Sequence, residues 1–185
     1  MRSHRSQESS EPFALQARIR VELSCPARMV PYLTWVLEGE YESGYVGEGL
    51  RVLDIGANAG AFSIWAAHRW PGSTIDAYEP SPSTFALLQE NTRSYPMIRC
   101  HNLAVYPSAG DEIAFTSRYP GDGEAGIVES LADTFDLGKR GEREFFDVPA
   151  LHPRELPAAD IVKIDVEGAE AEIVKHANFR LQCYC

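Results

Sequence analysis

The chain has 185 residues, 44% hydrophobic and 24% charged, a composition typical of a globular protein with one domain-sized core. Its net charge of −10 argues against nucleic acid as the main partner, because phosphate binding needs clustered lysine and arginine. No stretch reaches the roughly 18 apolar residues of a membrane-spanning helix, and the polar N-terminus lacks the apolar core of a secretory signal. The four cysteines lack metal-site spacing, so we expect free thiols and a cytoplasmic location.

The composition changes along the chain and predicts three segments. Residues 1–12 are polar and are expected to form a disordered tail. In residues 13–48, Val30, Leu33, Val36 and Leu37 recur at helical spacing, which predicts a helical segment on the substrate side. Residues 49–185 are expected to form the main, ligand-binding domain.

From Leu50 onward, apolar strands alternate with helices. Strands are predicted at "LRVLDI", "STIDAYE", "MIRCHNLAV" and "ADIVKIDVEG", with helices at "GAFSIWAAHRW", "SPSTFALLQENTRS" and "AEAEIVKHA". "DEIAFTS" and "REFFDVPAL" are predicted as further extended segments. Apolar rather than alternating strands indicate a mostly parallel sheet buried on both faces. The predicted fold is therefore α/β, a doubly wound, Rossmann-like sheet.

The turn after the first strand, "DIGANAG", lies where a doubly wound sheet binds its ligands. A glycine there allows main chain to approach a ligand, or allows a turn in which a Cβ would clash. Dinucleotide sites use G-x-G-x-x-G, whose second glycine lies against the pyrophosphate. This chain has Asn58 at that place, between Gly56 and Gly60. The substitution favours S-adenosylmethionine, a nucleoside without phosphate, over NAD.

Glu79 ends the second strand about 20 residues beyond Gly60, a position from which a carboxylate accepts hydrogen bonds from ribose hydroxyls. The feature is common to NAD sites, so it predicts an adenosine-containing ligand without identifying it. A solvated carboxylate at a strand end is the structural alternative for this residue.

With "VLDIGANAGAFSIWAA", "IDAYEPSPSTFALLQENT", "NLAV" and "DIVKIDVEGAEAEIV" in this order, the chain resembles the FkbM family of S-adenosylmethionine-dependent methyltransferases. The resemblance covers roughly Glu38 to Phe179. It implies a class I methyltransferase fold and methyl transfer to a hydroxyl oxygen of a sugar, polyketide or other small metabolite.

The resemblance also implies roles for individual residues. The turn residues Asp54, Gly56, Asn58 and Gly60 would line the methionine end of S-adenosylmethionine, and Glu79 would hold the ribose. Asn102 and Ala104, which follow the third strand, would lie along the adenine.

The chain departs from the family pattern in two places. His152 stands where the family tends to have an aspartate, so it could be a base or a bystander in a loop. The class I fold continues beyond the fourth strand and its helix, whereas this chain ends at Cys185. We therefore expect either a domain truncated at its C-terminal end, or a partner or a second copy that covers an otherwise open sheet edge.

Methyl transfer to a hydroxyl needs alignment of the reactants and a base that removes the proton. Asp165 is the first candidate for acceptor-side chemistry and Glu167 the second, because both lie at the ligand edge of the fourth strand. Strand alternation puts Lys163 on the face of Asp165, so a simple internal ion pair is an equally open interpretation. A divalent metal at these carboxylates is a weaker alternative, and no metal is assigned.

Three aromatic residues of the N-terminal segment, Trp35, Tyr41 and Tyr45, could wall an acceptor pocket, although the helical register of Trp35 favours the core. Two rival functions remain open. The chain could be an NAD(P)-binding oxidoreductase, although it lacks a Y-x-x-x-K pair, or a catalytically inactive nucleoside-binding fragment.

Overall fold

The computed structural model describes residues 23–41, 47–108, 110–128 and 143–179. Four α-helices lie in these residues: α1 (Val30–Leu37), α2 (Ala61–Arg69), α3 (Pro82–Thr92) and α4 (Glu170–His176). The described strands are β1 (Arg51–Ile55), β2 (Thr74–Tyr78), β3 (Ile98–His101), β4 (Ala104–Val105), β5 (Glu112–Ser117), β6 (Gly126–Ile127), β7 (Glu144–Leu151) and β8 (Ile161–Ile164).

A four-stranded parallel sheet forms the centre of the fold, in the order β3-β2-β1-β8. The chain runs outward from β1 through β2 to β3 and then returns to β8 on the other side of β1. This reversal makes the carboxyl ends of β1 and β8 a topological switch point, where such sheets bind ligands. The prediction of an α/β fold with a parallel sheet is confirmed.

Helices cover both faces of this sheet, because β1 and β2 carry apolar side chains on each side. On one face, Val52 and Ile75 pack with Trp65 of α2 and Leu88 of α3. On the other face, Leu53, Ile55 and Tyr78 pack with Ile173 of α4. Pro82 occupies the first position of α3, where its missing N–H has no helical partner to lose.

A second, mixed sheet has the order β4-β7-β5-β6 and packs around Phe115, Ile127 and Val148. Strands β5 and β7 run antiparallel, whereas β4 pairs with β7 in parallel. The predicted single strand "MIRCHNLAV" is therefore wrong in its length. The chain leaves the first sheet after His101 and joins the second at Ala104, because the Asn102 side chain binds main chain beyond β2.

Within the described ranges, every helix is too short or too polar to cross a membrane.

Candidate functional site

A cavity of about 430 Å³ opens at the carboxyl ends of β1, β2 and β8, a volume within the range of small-molecule sites. On the sheet side it is lined by the turn after β1 and by the residues that follow β2 and β8. On the outer side it is lined by α1 and by the segment 118–125. The cavity is thus where the sequence predicted the ligand-binding edge.

All five backbone N–H groups of the turn at residues 56–60 donate hydrogen bonds to acceptors of the protein itself. Two of the five N–H groups bind the carbonyl oxygen of Tyr78, one binds the Glu79 carboxylate, and two bind acceptors within the turn. The bonds are Gly56 and Ala57 to Tyr78 O (3.0 and 2.9 Å), Asn58 to Glu79 Oε2 (3.0 Å), Ala59 to Asn58 Oδ1 (2.7 Å) and Gly60 to Ala57 O (2.9 Å). The turn therefore presents satisfied main chain to the cavity.

Two glycines of this turn have positive φ and close neighbours at the place where a Cβ would stand. Gly56 has φ of 79°, and a Cβ at this position would lie 1.9 Å from the backbone oxygen of Asp165. Gly60 has φ of 90°, and a Cβ there would lie 2.9 Å from Leu88 Cδ1. The first glycine therefore supports the turn in which a Cβ would clash, and the approach of main chain to a ligand stays a prediction. Asn58 accepts the left-handed conformation at φ of 50°.

Glu79 is buried at the edge of the cavity and holds two segments of main chain. Its Oε2 accepts from the N–H of Asn58 at 3.0 Å, and its Oε1 accepts from the N–H of Ser81 at 2.9 Å. Burial raises the pKa of Glu79 to about 7, against the opposing effect of these two hydrogen bonds. The solvated strand-end alternative for Glu79 is wrong, since only 7% of the residue is exposed.

Asp54 lies beneath the turn and is fully buried. Its Oδ2 accepts a hydrogen bond of 2.6 Å from the Ser63 hydroxyl, and the Lys163 ammonium lies 3.1 Å from Oδ1. The described wall of the cavity includes Gly56 and Asn58 but neither Asp54 nor Gly60. Their direct contact with a methionine group stays a prediction, and the geometry gives Asp54 the ion pair with Lys163.

Asp165 follows β8 and points into the cavity, with 55% of its side chain exposed. The hydroxyl of Tyr41 donates to its Oδ2 at 3.3 Å, and the Lys163 ammonium lies 3.9 Å from the same oxygen. Burial, followed by the charge of Asp165, raises the pKa of the Tyr41 hydroxyl above its usual range. Asp165 thus stands beside a donor that remains protonated at neutral pH.

Glu167 also lines the cavity, and its backbone adopts the left-handed conformation with φ of 54°. A non-glycine residue in this region is uncommon and recurs at functional sites. Burial raises the pKa of Glu167 to about 7, with further contributions from the carboxylates of Asp165 and Glu170. Glu170 supports this turn by accepting from the N–H groups of Val166 and Gly168.

Asn102 and Ala104 occupy different positions. Ala104 lines the cavity. The Asn102 amide instead donates to the carbonyl oxygens of Glu79 and Pro80, at 2.9 Å each, so it orients the segment that carries Glu79. The described cavity wall does not include Asn102.

The outer wall is held together by side chains. The Arg28 guanidinium stacks 3.3 Å from the centre of the Tyr119 ring. Arg118 forms an ion pair with Asp122, with 2.5 Å between Nη2 and Oδ1. Met29, Leu33 and related apolar residues complete this side; the wall residues on α1 and its preceding turn are Arg28, Met29, Tyr32, Leu33 and Val36.

The remaining acceptor-side candidates have separate positions. Tyr41 lines the cavity, whereas Trp35 is 57% exposed, so its predicted core position is wrong. Trp35 packs edge-on against Tyr32 instead. His152 follows β7, accepts from the N–H of Arg154 and lines a different, more open depression. Tyr45 lies outside the described residues.

Sequence reasoning missed two parts of the site. It paired Lys163 with Asp165, whereas Asp54 is nearer, because parallel pairing places Asp54 beside Lys163. That register could have been proposed once β1 and β8 were taken as neighbours. The wall formed by Arg118 and Tyr119 has no motif, since it depends on where the second sheet packs.

No three histidine, cysteine, aspartate or glutamate side chains in the described parts of the chain are grouped so as to hold a metal ion. The carboxylates in and beneath the cavity have other partners or positions. Glu79 binds main chain, Asp54 lies beneath the turn and pairs with Lys163, and Asp165 and Glu167 line the cavity.

A sequence profile described as the Methyltransferase FkbM domain matches residues 54–184, which include this turn and the cavity carboxylates. The chain belongs to the FkbM methyltransferase family. Methyltransferase 1 of Beauveria bassiana (strain ARSEF 2860) is 25% identical over 146 residues, covering 67% of this chain and 57% of that protein. The 31-O-demethyl-FK506 methyltransferase FkbM of Streptomyces tacrolimicus is 40% identical over 60 residues, covering 32% of this chain and 23% of that protein.

Among solved structures, Methyltransferase FkbM from Methylobacillus flagellatus KT is similar at 17% identity with a TM-score of 0.48. That likeness covers 82% of this chain and 40% of the solved chain. The chain therefore spans less than two thirds of the length of these relatives.

Proposed function

We propose that this chain is an S-adenosylmethionine-dependent methyltransferase domain that methylates a hydroxyl oxygen of a small metabolite. The observation that carries the proposal is the turn at residues 56–60, whose five N–H groups all have protein acceptors. A pyrophosphate needs free backbone donors at this place, as glycine-rich phosphate loops provide. A nucleoside without a pyrophosphate does not need these donors and can pack against satisfied main chain.

Glu79 is the residue proposed to hold the ribose. Each of its carboxylate oxygens accepts one backbone N–H and retains a further lone pair. A ribose diol could donate to both oxygens without displacing either backbone bond. This contact would favour the ionised carboxylate against the burial that raises the pKa of Glu79.

When bound, S-adenosylmethionine supplies a methyl group on a positively charged sulfur. The acidic surroundings of the cavity, with Glu79, Asp165 and Glu167 in its wall, suit a cationic ligand. On the sheet side, this ligand would be bound by Gly56, Asn58 and Glu79. Ala104 would lie beside its adenine ring.

Glu167 is the proposed general base, in preference to Asp165. A pKa of about 7 suits a base that must accept a proton near neutral pH and release it afterwards. Asp165 already accepts a hydrogen bond from Tyr41, so its proposed role is to orient the acceptor hydroxyl. In the proposed reaction the hydroxyl proton would pass to Glu167, and the hydroxyl oxygen would form a bond to the methyl carbon. The bond between that carbon and sulfur would break, with S-adenosylhomocysteine as the leaving group.

An oxygen acceptor is proposed for two reasons. The first is the pair of carboxylates at the acceptor side, which can remove and orient a hydroxyl proton. The second is a relative: the protein of Streptomyces tacrolimicus is named 31-O-demethyl-FK506 methyltransferase, a name that describes methylation at oxygen by that protein.

Isothermal titration of the purified chain with S-adenosylhomocysteine, and separately with NADH, tests the cofactor. We expect binding of S-adenosylhomocysteine, weakened roughly 10- to 100-fold by Glu79→Gln through the loss of hydrogen bonds to a charged acceptor. Glu90→Gln, at an exposed glutamate of α3 paired with Arg93, is the matched control and should leave affinity unchanged. Tight binding of NADH with none of S-adenosylhomocysteine would overturn the proposal.

Mass spectrometry of a panel of hydroxylated metabolites, incubated with the chain and S-adenosylmethionine, tests the reaction. The expected result is a methylated product whose formation slows roughly 100-fold in Glu167→Gln, while affinity for S-adenosylhomocysteine stays within about threefold. Full activity in Glu167→Gln would reject this residue as the base. Methylation confined to amines would reject the oxygen acceptor.

A further inference from the structure

Lys163 has more contacts than a buried ion pair requires. The residue is 9% exposed, and its ammonium lies 3.1 Å from Asp54 Oδ1. The same nitrogen donates to the carbonyl oxygen of Gly56 at 2.6 Å and lies 3.9 Å from Asp165 Oδ2. The ammonium thus donates a hydrogen bond to the turn and lies within ion-pair distance of one carboxylate beneath the turn and one in the cavity.

The pair with Asp54 places an opposite charge beside the buried ammonium, and Ser63 binds the other oxygen of Asp54. The contacts with Gly56 and Asp165 are therefore additional. They matter for geometry, since a Cβ at Gly56 would lie 1.9 Å from the backbone oxygen of Asp165. The turn and the end of β8 are in direct contact, and the Lys163 ammonium lies close to polar groups of both.

The rest of the turn depends on the orientation of Gly56. Its N–H donates to the Tyr78 oxygen, and its carbonyl accepts from Lys163, so both polar groups of this peptide have specific partners. Asn58, two residues later, donates its N–H to Glu79. A change in the orientation of the Gly56 carbonyl would therefore move the N–H of Asn58, which orients the carboxylate of Glu79.

We propose that Lys163 is a positioning residue that holds the 56–60 turn and Asp165 in one arrangement around the cavity. The inference rests on the proposed function in naming a nucleoside cofactor as the ligand whose binding Lys163 controls. Lys163 would act through Gly56 on the cofactor side and through Asp165 on the acceptor side. The competing explanation is that Lys163 only neutralises Asp54.

A double variant, Asp54→Asn with Lys163→Met, separates the two explanations because it removes both buried charges together. Its affinity for S-adenosylhomocysteine, measured by isothermal titration, is compared with that of Asp54→Asn alone, so that any contact of Asp54 with the ligand is lost in both. If Lys163 only neutralises Asp54, the double variant should bind at least as tightly as the single one. If Lys163 positions the turn, the double variant should bind about tenfold or more weakly than the single one, since the Gly56 carbonyl also lacks its donor. Equal or tighter binding by the double variant would overturn the proposal.

Lys163→Arg is a second variant that retains the positive charge and the compensation of Asp54. A planar guanidinium cannot reproduce the same three contacts, so we expect a loss of about fivefold or more in affinity. Affinity equal to that of the wild type would contradict the positioning role, even if the double variant failed to fold.

Hydrogen exchange without ligand makes the test independent of the proposed function. The N–H groups of Asn58 and Ala59 should exchange at least about tenfold faster in the double variant, with Val52 and Leu53 in β1 unchanged. Equal exchange would reject the proposal. Absence of S-adenosylhomocysteine binding by the wild type would reject the proposed function instead, and the exchange comparison would still decide the role of Lys163.

Arg51→Met is the matched control. Arg51 and Asp160 form an ion pair of 3.1 Å across β1 and the start of β8, at the opposite end of the same strand pair. Its removal should leave both affinity and exchange of the turn unchanged. A loss equal to that of the Lys163 variants would show that any ion pair between these strands has the same effect.

Discussion

The two sides of the cavity are built differently. On the sheet side, the 56–60 turn and Glu79 form a closed set of hydrogen bonds in which main chain and buried side chains satisfy one another. On the outer side, the turn before α1 and the segment 118–125 are joined by side chains, such as the exposed Arg28 over Tyr119. The first arrangement tolerates few changes, whereas an exposed stacking contact of this kind has a low energy.

Under the proposed function, this difference separates two tasks. The satisfied turn on the buried sheet would hold the cofactor in one geometry. The outer wall, built from loops and a short helix, would face the acceptor, and such walls can change without disturbing the core. We therefore expect substitutions on the sheet side to affect stability and cofactor affinity together, and those on the outer side to affect stability little.

The largest effect is expected from Gly56→Ala. The added Cβ would meet the Asp165 backbone oxygen at 1.9 Å, and alanine disfavours φ of 79°. Destabilisation of roughly 2–5 kcal/mol, measured by urea unfolding, follows from overpacking combined with left-handed backbone.

Gly49→Ala is the control for Gly56→Ala, because Gly49 also has positive φ, at 64°, but has no atom within 4 Å of a new Cβ. It should cost only about 1 kcal/mol. Equal losses in the two variants would show that backbone conformation, and not contact with the end of β8, is what the glycine provides.

A change of pH is expected to have an intermediate effect, on the affinity for S-adenosylhomocysteine. Burial raises the pKa of Glu79 to about 7, so this carboxyl gains a proton as pH falls through neutrality and loses one of its acceptors. Affinity for S-adenosylhomocysteine should therefore be highest at pH 8 and fall by up to about tenfold per unit below pH 7. Calorimetry at pH 6, 7 and 8 measures this slope.

The Glu79→Gln variant should show no such slope between pH 6 and 8, because glutamine does not titrate. A slope of equal size in that variant would assign the titration to another group, and Glu167, whose pKa is also raised to about 7, would be examined next through Glu167→Gln.

The smallest effect is expected from Arg28→Ala on the outer wall. Arg28 is exposed, so loss of its stacking on Tyr119 should cost about 1 kcal/mol or less in urea unfolding. Affinity for S-adenosylhomocysteine should stay within about threefold of the wild-type value. A loss comparable to that of Gly56→Ala would contradict the distinction between the two sides.

Local pattern was sufficient to predict the central sheet. The apolar runs of β1, β2 and β8 can only be buried on both faces, which requires parallel strands with helices on each side. The glycine turn and the carboxylate at the end of β2 follow from the same reasoning, because parallel strands end at one edge. Family membership, predicted from the combined motifs, is confirmed.

Other predictions failed where a residue has two plausible environments. A single third strand was predicted through Asn102. Instead, β3 ends at His101, and the Asn102 amide donates to carbonyl oxygens that follow β2. Trp35 has the register of a core residue, yet α1 turns it outward and buries Leu33 instead. Neither position could be predicted from the residues adjacent in sequence, because each depends on packing between distant segments.

The sequence by itself determined the α/β class, the order of the motifs and the edge at which the cavity opens, because these depend on periodicity and on residues close together in the chain. Only the tertiary structure decided that Lys163 pairs with Asp54, that Gly56 accommodates Asp165, and that the segment 118–125 closes the cavity. Those contacts join residues far apart in sequence, and their geometry depends on the packing of whole strands and sheets.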